Sequence, residues 1–398
     1  MKSINKVTKT LLICSIAVLT GCGSSASSIT DTVDAQEQFG CSVINVYNAG
    51  EYIGEDVISN FEAMYNARVN YDTFESNEIM YTKLLGGSSY DVLVPSDYMI
   101  ERLIGEDMLQ PLDKSVMEHE DELDPAVLEM REAFDPEGKY SMPYFWGTVG
   151  IVYDTTVVPT EKIEKEGWEI LRDTDYAGNL YYYDSQRDGF MVAFKALGYS
   201  MNTENEDEIN AAYEWLREMN QTMSPSFVTD EVIDGMVNGK KALAIMYSGD
   251  AAYVLSENEN MAWFEPEEGT NKWADAMVIP KNASCAGLAN AFINYATSYD
   301  VQYENSDYVG YTSVRSDVAD EMYDAGGTYE GISAYKPRED GKNDEVFHYN
   351  AMLTKKLADL WNKVKVQEFV YDRLSAPGSL FSIFLLHCIV FFGMLFKH

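Results

Sequence analysis

SVINVYNAGEYIGEDVISNFEAMYNARVNYDTFESNEIMYTKLLGGSSYDVLVPSDY, residues 42–98, decides the fold. Residues 42–47 and 69–74 are β-rich and predict strands. Between them Val57, Phe61, Met64 and Tyr65 share one helical face. Residues 78–85 predict a short helix that stops at Gly86-Gly87, and 91–94 a buried strand ending in Pro95-Ser96. Residues 97–104 predict another helix. Strand and helix in alternation imply an α/β fold with a largely parallel sheet. Ligands of such sheets bind beyond the carboxyl ends of the strands, so residues 48–52 and 95–98 are candidate ligand loops.

The pattern continues downstream. Residues 140–154, YSMPYFWGTVGIVYD, place an aromatic cluster ahead of an apolar strand and predict a crossover between domains. Strands are expected at 180–184, 242–247 and 276–280. Helices are expected at 190–197, 210–219, 229–237 and 288–296. Leu353, Leu357, Leu360, Trp361 and Val364 stripe a last helix, which reads as core packing.

Composition narrows the function. The 398 residues carry 29 Lys+Arg against 65 Asp+Glu, a net charge of −36. Such a chain repels phosphate backbones, so no nucleic-acid partner is expected. The four histidines, His119, His348, His387 and His398, are widely spaced and offer no metal motif, and no cofactor is expected. Asp184 and Asp188 stand four apart, a spacing that suits paired carboxylates in acid–base catalysis. No phosphate loop or nucleophile motif accompanies them, so an enzyme is not expected.

The N-terminus reads as an export signal. Lys2, Lys6 and Lys9 precede an apolar run at 11–19 and then LTGC, ending at Cys22. This ending resembles the bacterial lipoprotein box, which implies a signal peptide over 1–21 and lipidation of Cys22. Residues 22–40 are expected to be a flexible tether to the outer face of the membrane, or to the periplasmic side where there is an outer membrane. Cys41 and Cys285 each flank a predicted strand, and they either bond in that oxidising setting or stay as buried thiols. Residues 380–396 are nearly all apolar and are a candidate transmembrane segment.

Six ordered blocks carry a family resemblance: VYNAGEY (46–52), YDTFESNEIMYTKL (71–84), YDVLVPSDY (90–98), and residues 140–147, 197–200 and 273–280. They resemble the spermidine/putrescine-binding proteins of bacterial polyamine ABC importers over residues 43–366. The resemblance implies a type II periplasmic-binding-protein-like fold of two lobes, with two hinge crossings and a ligand cleft between them. It implies a first lobe at 41–146 plus 275–310 and a second at 147–274 plus 311–372. An ABC permease and its ATPase are the implied partners.

The family's ligand positions fall on Ala49, Gly50, Tyr52, Ser96, Tyr98, Ser185, Asp188, Tyr247, Trp273, Asp275 and Tyr311, with a later glutamine near His348. Polyamines need carboxylates for ammonium groups and rings along the methylenes, and Tyr98, Asp188, Trp273, Asp275 and Tyr311 keep that logic. Ala49, Gly50 and Ser185 depart from it, losing a ring, a hydroxyl and a carboxylate. Asp184 and Asp250 are candidate replacements for the lost charge. The alternatives are a different small cationic solute and a structural or adhesive surface lipoprotein.

Overall fold

The computed structural model describes residues 32–50 and 52–366. Cys22, the signal segment and residues 380–396 lie outside the described residues. Among the described residues no helix is long and apolar enough to cross a membrane.

The first lobe begins α1 (Ala35–Phe39), β1 (Val43–Ala49), α2 (Val57–Tyr65), β2 (Arg68–Phe74), α3 (Asn77–Leu85), β3 (Val92–Leu93), α4 (Asp97–Gly105), β4 (Leu109–Gln110) and α5 (Pro125–Arg131). The long strand β5 (Ser141–Asp154) leaves it. The second lobe follows with α6 (Thr160–Glu166), β6 (Leu180–Tyr183), α7 (Gln186–Ala196), α8 (Glu206–Met223), β7 (Ser226–Val228), α9 (Glu231–Val237), β8 (Leu243–Tyr247), α10 (Ser248–Glu257) and β9 (Met261–Phe264). Strand β10 (Lys272–Pro280) returns the chain to α11 (Ala286–Ala296) and α12 (Tyr299–Val309). Then come β11 (Thr312–Ser313), α13 (Ser316–Tyr323) and α14 (Ala351–Lys365).

The strands lie in the order β2-β1-β3-β10-β5-β8-β6-β7. β1 runs parallel to β2 and β3 in the first lobe, and β6 parallel to β7 and β8 in the second. These parallel strands carry the apolar runs read from the sequence, because helices cover both faces. β5 is buried along nearly its whole length and pairs antiparallel with β10 on one side and β8 on the other. It therefore belongs to both lobes. Its pairing with β10 slips between Asp275 and Ala276, opposite Pro143. Proline has no N–H to give the ladder, so a bulge forms there.

One expectation needs correction. Residues 22–40 do not form a tether throughout, because α1 sits within them. Asp34 caps it, its carboxylate accepting from Glu37 N at 3.0 Å, and Gly40 ends it at φ 75°. Ala35 is fully buried, and Phe39 packs on the Tyr65 ring at 6.3 Å. These two apolar side chains hold the segment on the first lobe.

Cys41, just before β1, is bonded to Cys285 at the start of α11, with Cα atoms 6.1 Å apart. The bond closes a sequence separation of 244 residues. Replacing both cysteines with serine should lower unfolding stability by about 2–4 kcal/mol. Urea titration of the oxidised protein checks this, and an unchanged midpoint would refute it.

Candidate functional site

The cleft is built where strands end. β1 delivers Tyr52, β3 delivers Ser96 and Tyr98, β6 delivers Asp188, and β8 delivers Tyr247 and Asp250. Asn271 and the start of β10, with Trp273 and Asp275, cross between them. Side chains alternate along a strand, so these three share one face. Lys272 points the other way, and its Nζ donates to the Glu339 carbonyl at 2.7 Å.

Three carboxylates line this space, and each is held by a tyrosine hydroxyl. Tyr52 donates to Asp275 at 2.7 Å, Tyr247 to Asp188 at 2.8 Å and Tyr311 to Asp250 at 3.0 Å. Burial, then the neighbouring carboxylate, pushes all three phenols well above their ordinary range, so they stay neutral donors. Each carboxylate keeps lone pairs for a further donor. The rings around them meet edge to face: Trp273 with Tyr311 at 5.3 Å, Tyr247 with Trp273 at 6.1 Å, and Tyr52 with Tyr311 at 5.7 Å.

Two glycines make room for these rings. A Cβ at Gly147 would lie 2.6 Å from the Trp273 ring, and one at Gly249 would lie 2.3 Å from the Tyr311 ring. The Arg187 guanidinium of α7 stacks on Tyr98 of the first lobe, 3.5 Å from the ring centre, and so bridges the lobes. Tyr98 in turn donates to Glu78 at 3.0 Å.

Asp97, absent from the positions singled out in the sequence, is fully buried at the start of α4. It accepts from Tyr98 N at 2.6 Å and Ala274 N at 3.4 Å. Burial pushes its carboxyl up to about 7, while the Tyr98 amide and Arg187 oppose the rise and Asp275 adds to it. Burial likewise raises Asp250 to about 6, opposed by the Tyr311 hydroxyl. Asp275 is raised by burial, against hydrogen bonds from Ser96 and Tyr52.

Other expected positions fall elsewhere. Asp184 accepts from Trp361 Nε1 at 2.8 Å and from Lys365 Nζ at 2.8 Å, so it fastens α14 to β6 and its charge is already matched. Ser185 caps α7, accepting from Asp188 N at 3.3 Å. His348 is exposed beside Glu101, its Nδ1 3.4 Å from the carboxylate. Ala49 is half-buried, and a side chain at Gly50 would meet nothing within 4 Å. Of the two candidates for the missing charge, Asp250 stands among the cleft rings and Asp184 does not.

Sequence reading passed over Asn271, Arg187, Asp97, Gly147 and Gly249. Two signals were available: Asn271 stands two residues before Trp273 on the same strand face, and each glycine adjoins an aromatic or polar pocket residue. A cavity of about 600 Å³ on the second lobe, lined by Lys195, Tyr199 and Lys342 among others, holds none of these cleft groups. Its buried Lys195 is already bonded to the Asn343 carbonyl and to Glu345. Among the described residues no cluster of His, Cys, Asp and Glu forms a metal site.

Known proteins resemble this chain in sequence and fold. The sequence profile of the family described as Bacterial extracellular solute-binding protein matches residues 88–325. This chain belongs to that family. It binds solute and is not an enzyme. It is 33% identical over 267 residues to the spermidine/putrescine-binding periplasmic protein of Salmonella typhimurium, covering 67% of this chain and 75% of that one. It is 30% identical over 286 residues to the putrescine-binding periplasmic protein PotF of Escherichia coli, covering 68% and 77%. The crystal structure of the spermidine/putrescine ABC transporter substrate-binding protein PotD from Streptococcus pneumoniae superposes with a TM-score of 0.71. There the identity is 33%, over 81% of this chain and 98% of that one. The two-lobed solute-binding fold expected from the sequence is therefore present.

The raised carboxyls give a pH signature. An acid whose folded pKa exceeds its unfolded value of about 3.9 stabilises the fold most at low pH. That contribution is lost as pH climbs through the folded value, here about 6 for Asp250 and about 7 for Asp97. Ligand-free protein should therefore lose stability between pH 4 and 7, and Asp97→Asn should flatten the curve. Thermal melts across that range test this, and parallel curves for the two proteins would refute it. Separately, Gly147→Val should displace Trp273 and weaken solute binding while leaving the helices intact by circular dichroism.

Proposed function

We propose that this protein captures a linear polyamine of the spermidine or putrescine type outside the cytoplasm and presents it to an ABC permease driven by its ATPase. The observation that carries this reading is the set of tyrosine-held carboxylates, Asp188, Asp250 and Asp275, spaced among Trp273, Tyr247, Tyr52 and Tyr311. Ammonium groups find charge-assisted acceptors there, and the methylenes between them find ring faces. Asp250 takes up the carboxylate role that Ser185 does not fill. The names of the Salmonella and Streptococcus relatives point the same way. The N-terminal lipoprotein pattern supports anchoring through Cys22. The lobe division at 146/147 and 274/275 is supported by the register, in which Gly147 faces Trp273 and Trp146 faces Ala274.

A second reading has its own support. Arg187 Nη1 and Trp273 Nε1 are buried donors without a partner among the described residues. A small cationic solute that also carries an oxygen acceptor would satisfy them.

Calorimetry with spermidine, spermine, putrescine, an ω-amino acid and a neutral diol separates these readings. Polyamine capture predicts binding of the amines and none of the diol. No heat from any polyamine at ~1 mM, the concentration matching about −4 kcal/mol of affinity, overturns it. A preference for the amino acid selects the second reading. Asp275→Asn should weaken amine binding by roughly 2–5 kcal/mol, since it leaves an ammonium without its counter-charge.

A further inference from the structure

Asn271 stands out among the groups the binding site leaves unexplained. Its side chain is 3% exposed, and its Oδ1 is shielded from solvent with no hydrogen-bond partner among the described residues. Its Nδ2 donates to Asp188 Oδ1 at 3.4 Å. That contact decides which way the amide faces. A carboxylate oxygen accepts and does not donate, so turning the amide over would set two acceptors against each other. The carbonyl end is thereby held beside Asp188 as an acceptor awaiting a donor. Buried acceptors left unmatched are costly, so such an atom marks a place where a donor belongs.

Neighbouring groups say what kind of donor. Asp188 Oδ2 is engaged by the Tyr247 hydroxyl, and Asp188 Oδ1 by Asn271, each oxygen with capacity left. Trp273, two residues on along the same face of β10, supplies a ring beside this corner. A carboxylate, an amide oxygen and an aromatic face in one place suit a primary ammonium group, which carries three N–H donors and one charge. The Asn271 backbone carbonyl is otherwise occupied: it accepts from Val149 N at 3.2 Å, which ties the residue to β5 just ahead of β10.

We infer that Asn271 is a ligand-contacting, specificity-determining residue whose Oδ1, paired with Asp188, forms the acceptor seat for a terminal primary ammonium group of the solute. This rests on the polyamine reading above and adds to it a requirement for N–H groups, not merely for positive charge. A trimethylated nitrogen has the charge and none of the donors, so it is rejected at this seat.

The test is titration calorimetry of putrescine against the same diamine trimethylated at one end and at both ends, with wild type, Asn271→Leu and Asn271→Asp. Wild type should prefer the doubly primary diamine. Asn271→Leu should bind putrescine roughly 10- to 100-fold more weakly and discriminate less against trimethylation. Asn271→Asp keeps an acceptor and should retain the preference. Ligand-free melting curves establish that each variant folds, and where Asn271→Leu does not, Asn271→Ala replaces it and the ratio between the diamines is read. An unchanged ratio in the Leu or Ala variant, with amine binding intact, overturns the Asn271 assignment alone. A wild type that binds none of these amines overturns the polyamine reading and this seat together.

Discussion

Strands β5 and β10 lie side by side from Thr148 and Lys272 to Ser141 and Val278, and this ladder passes from one lobe into the other. Two antiparallel strands bonded edge to edge resist shearing and stretching but still twist and bend. The ladder is therefore the element that the two lobes share. Trp273 and Asp275 sit on it, while Asp188 and Asp250 sit on the second lobe and Tyr52 and Tyr98 on the first, so the site draws its groups from the ladder and from both sides of it. The bulge opposite Pro143 falls next to Asp275 and interrupts the regular pairing there, giving this carboxylate its local backbone setting.

Electrostatics explains why the cleft needs its tyrosines. Three carboxylates in one confined space repel each other and suffer from loss of water. A phenol hydroxyl relieves each without adding a further positive charge to that of Arg187, which already acts on Asp188 and Asp275. A lysine or arginine in place of each tyrosine would offset the attraction for a cationic solute further. The arrangement contrasts with Asp184, whose carboxylate is matched by Lys365 and serves only to fasten α14. Two aspartates four residues apart, Asp184 and Asp188, thus do different work because one meets an ammonium side chain and the other a phenol.

Much of the fold was legible in the sequence because apolar period and turn residues report burial directly. Strands β1, β2, β6 and β8 and helices α2, α3, α4, α11 and α14 fall close to the segments their patterns predicted. Helix α10 was not recognised, since Ser248-Gly249-Asp250 reads as a turn. The glycine is there to admit the Tyr311 ring, a contact between residues 62 apart in sequence that no local pattern encodes. Helix α1 was missed because five residues are too few to show a period. In the site, Tyr98, Asp188, Trp273 and Asp275 came from family likeness, whereas Asp97 and Arg187 are defined by burial and by a partner across the cleft. Asp184 was misplaced for the same reason: its partners, Trp361 and Lys365, are almost two hundred residues downstream.

The Cys41–Cys285 bond also has a mechanical meaning. A pull on the folded part from its N-terminal side first reaches α1 and Cys41. From Cys41 the force divides between β1 and, through the covalent sulfur bridge, α11. Both belong to the first lobe, so the load is shared by two elements of one body, the second of which, α11, follows β10 directly in the chain.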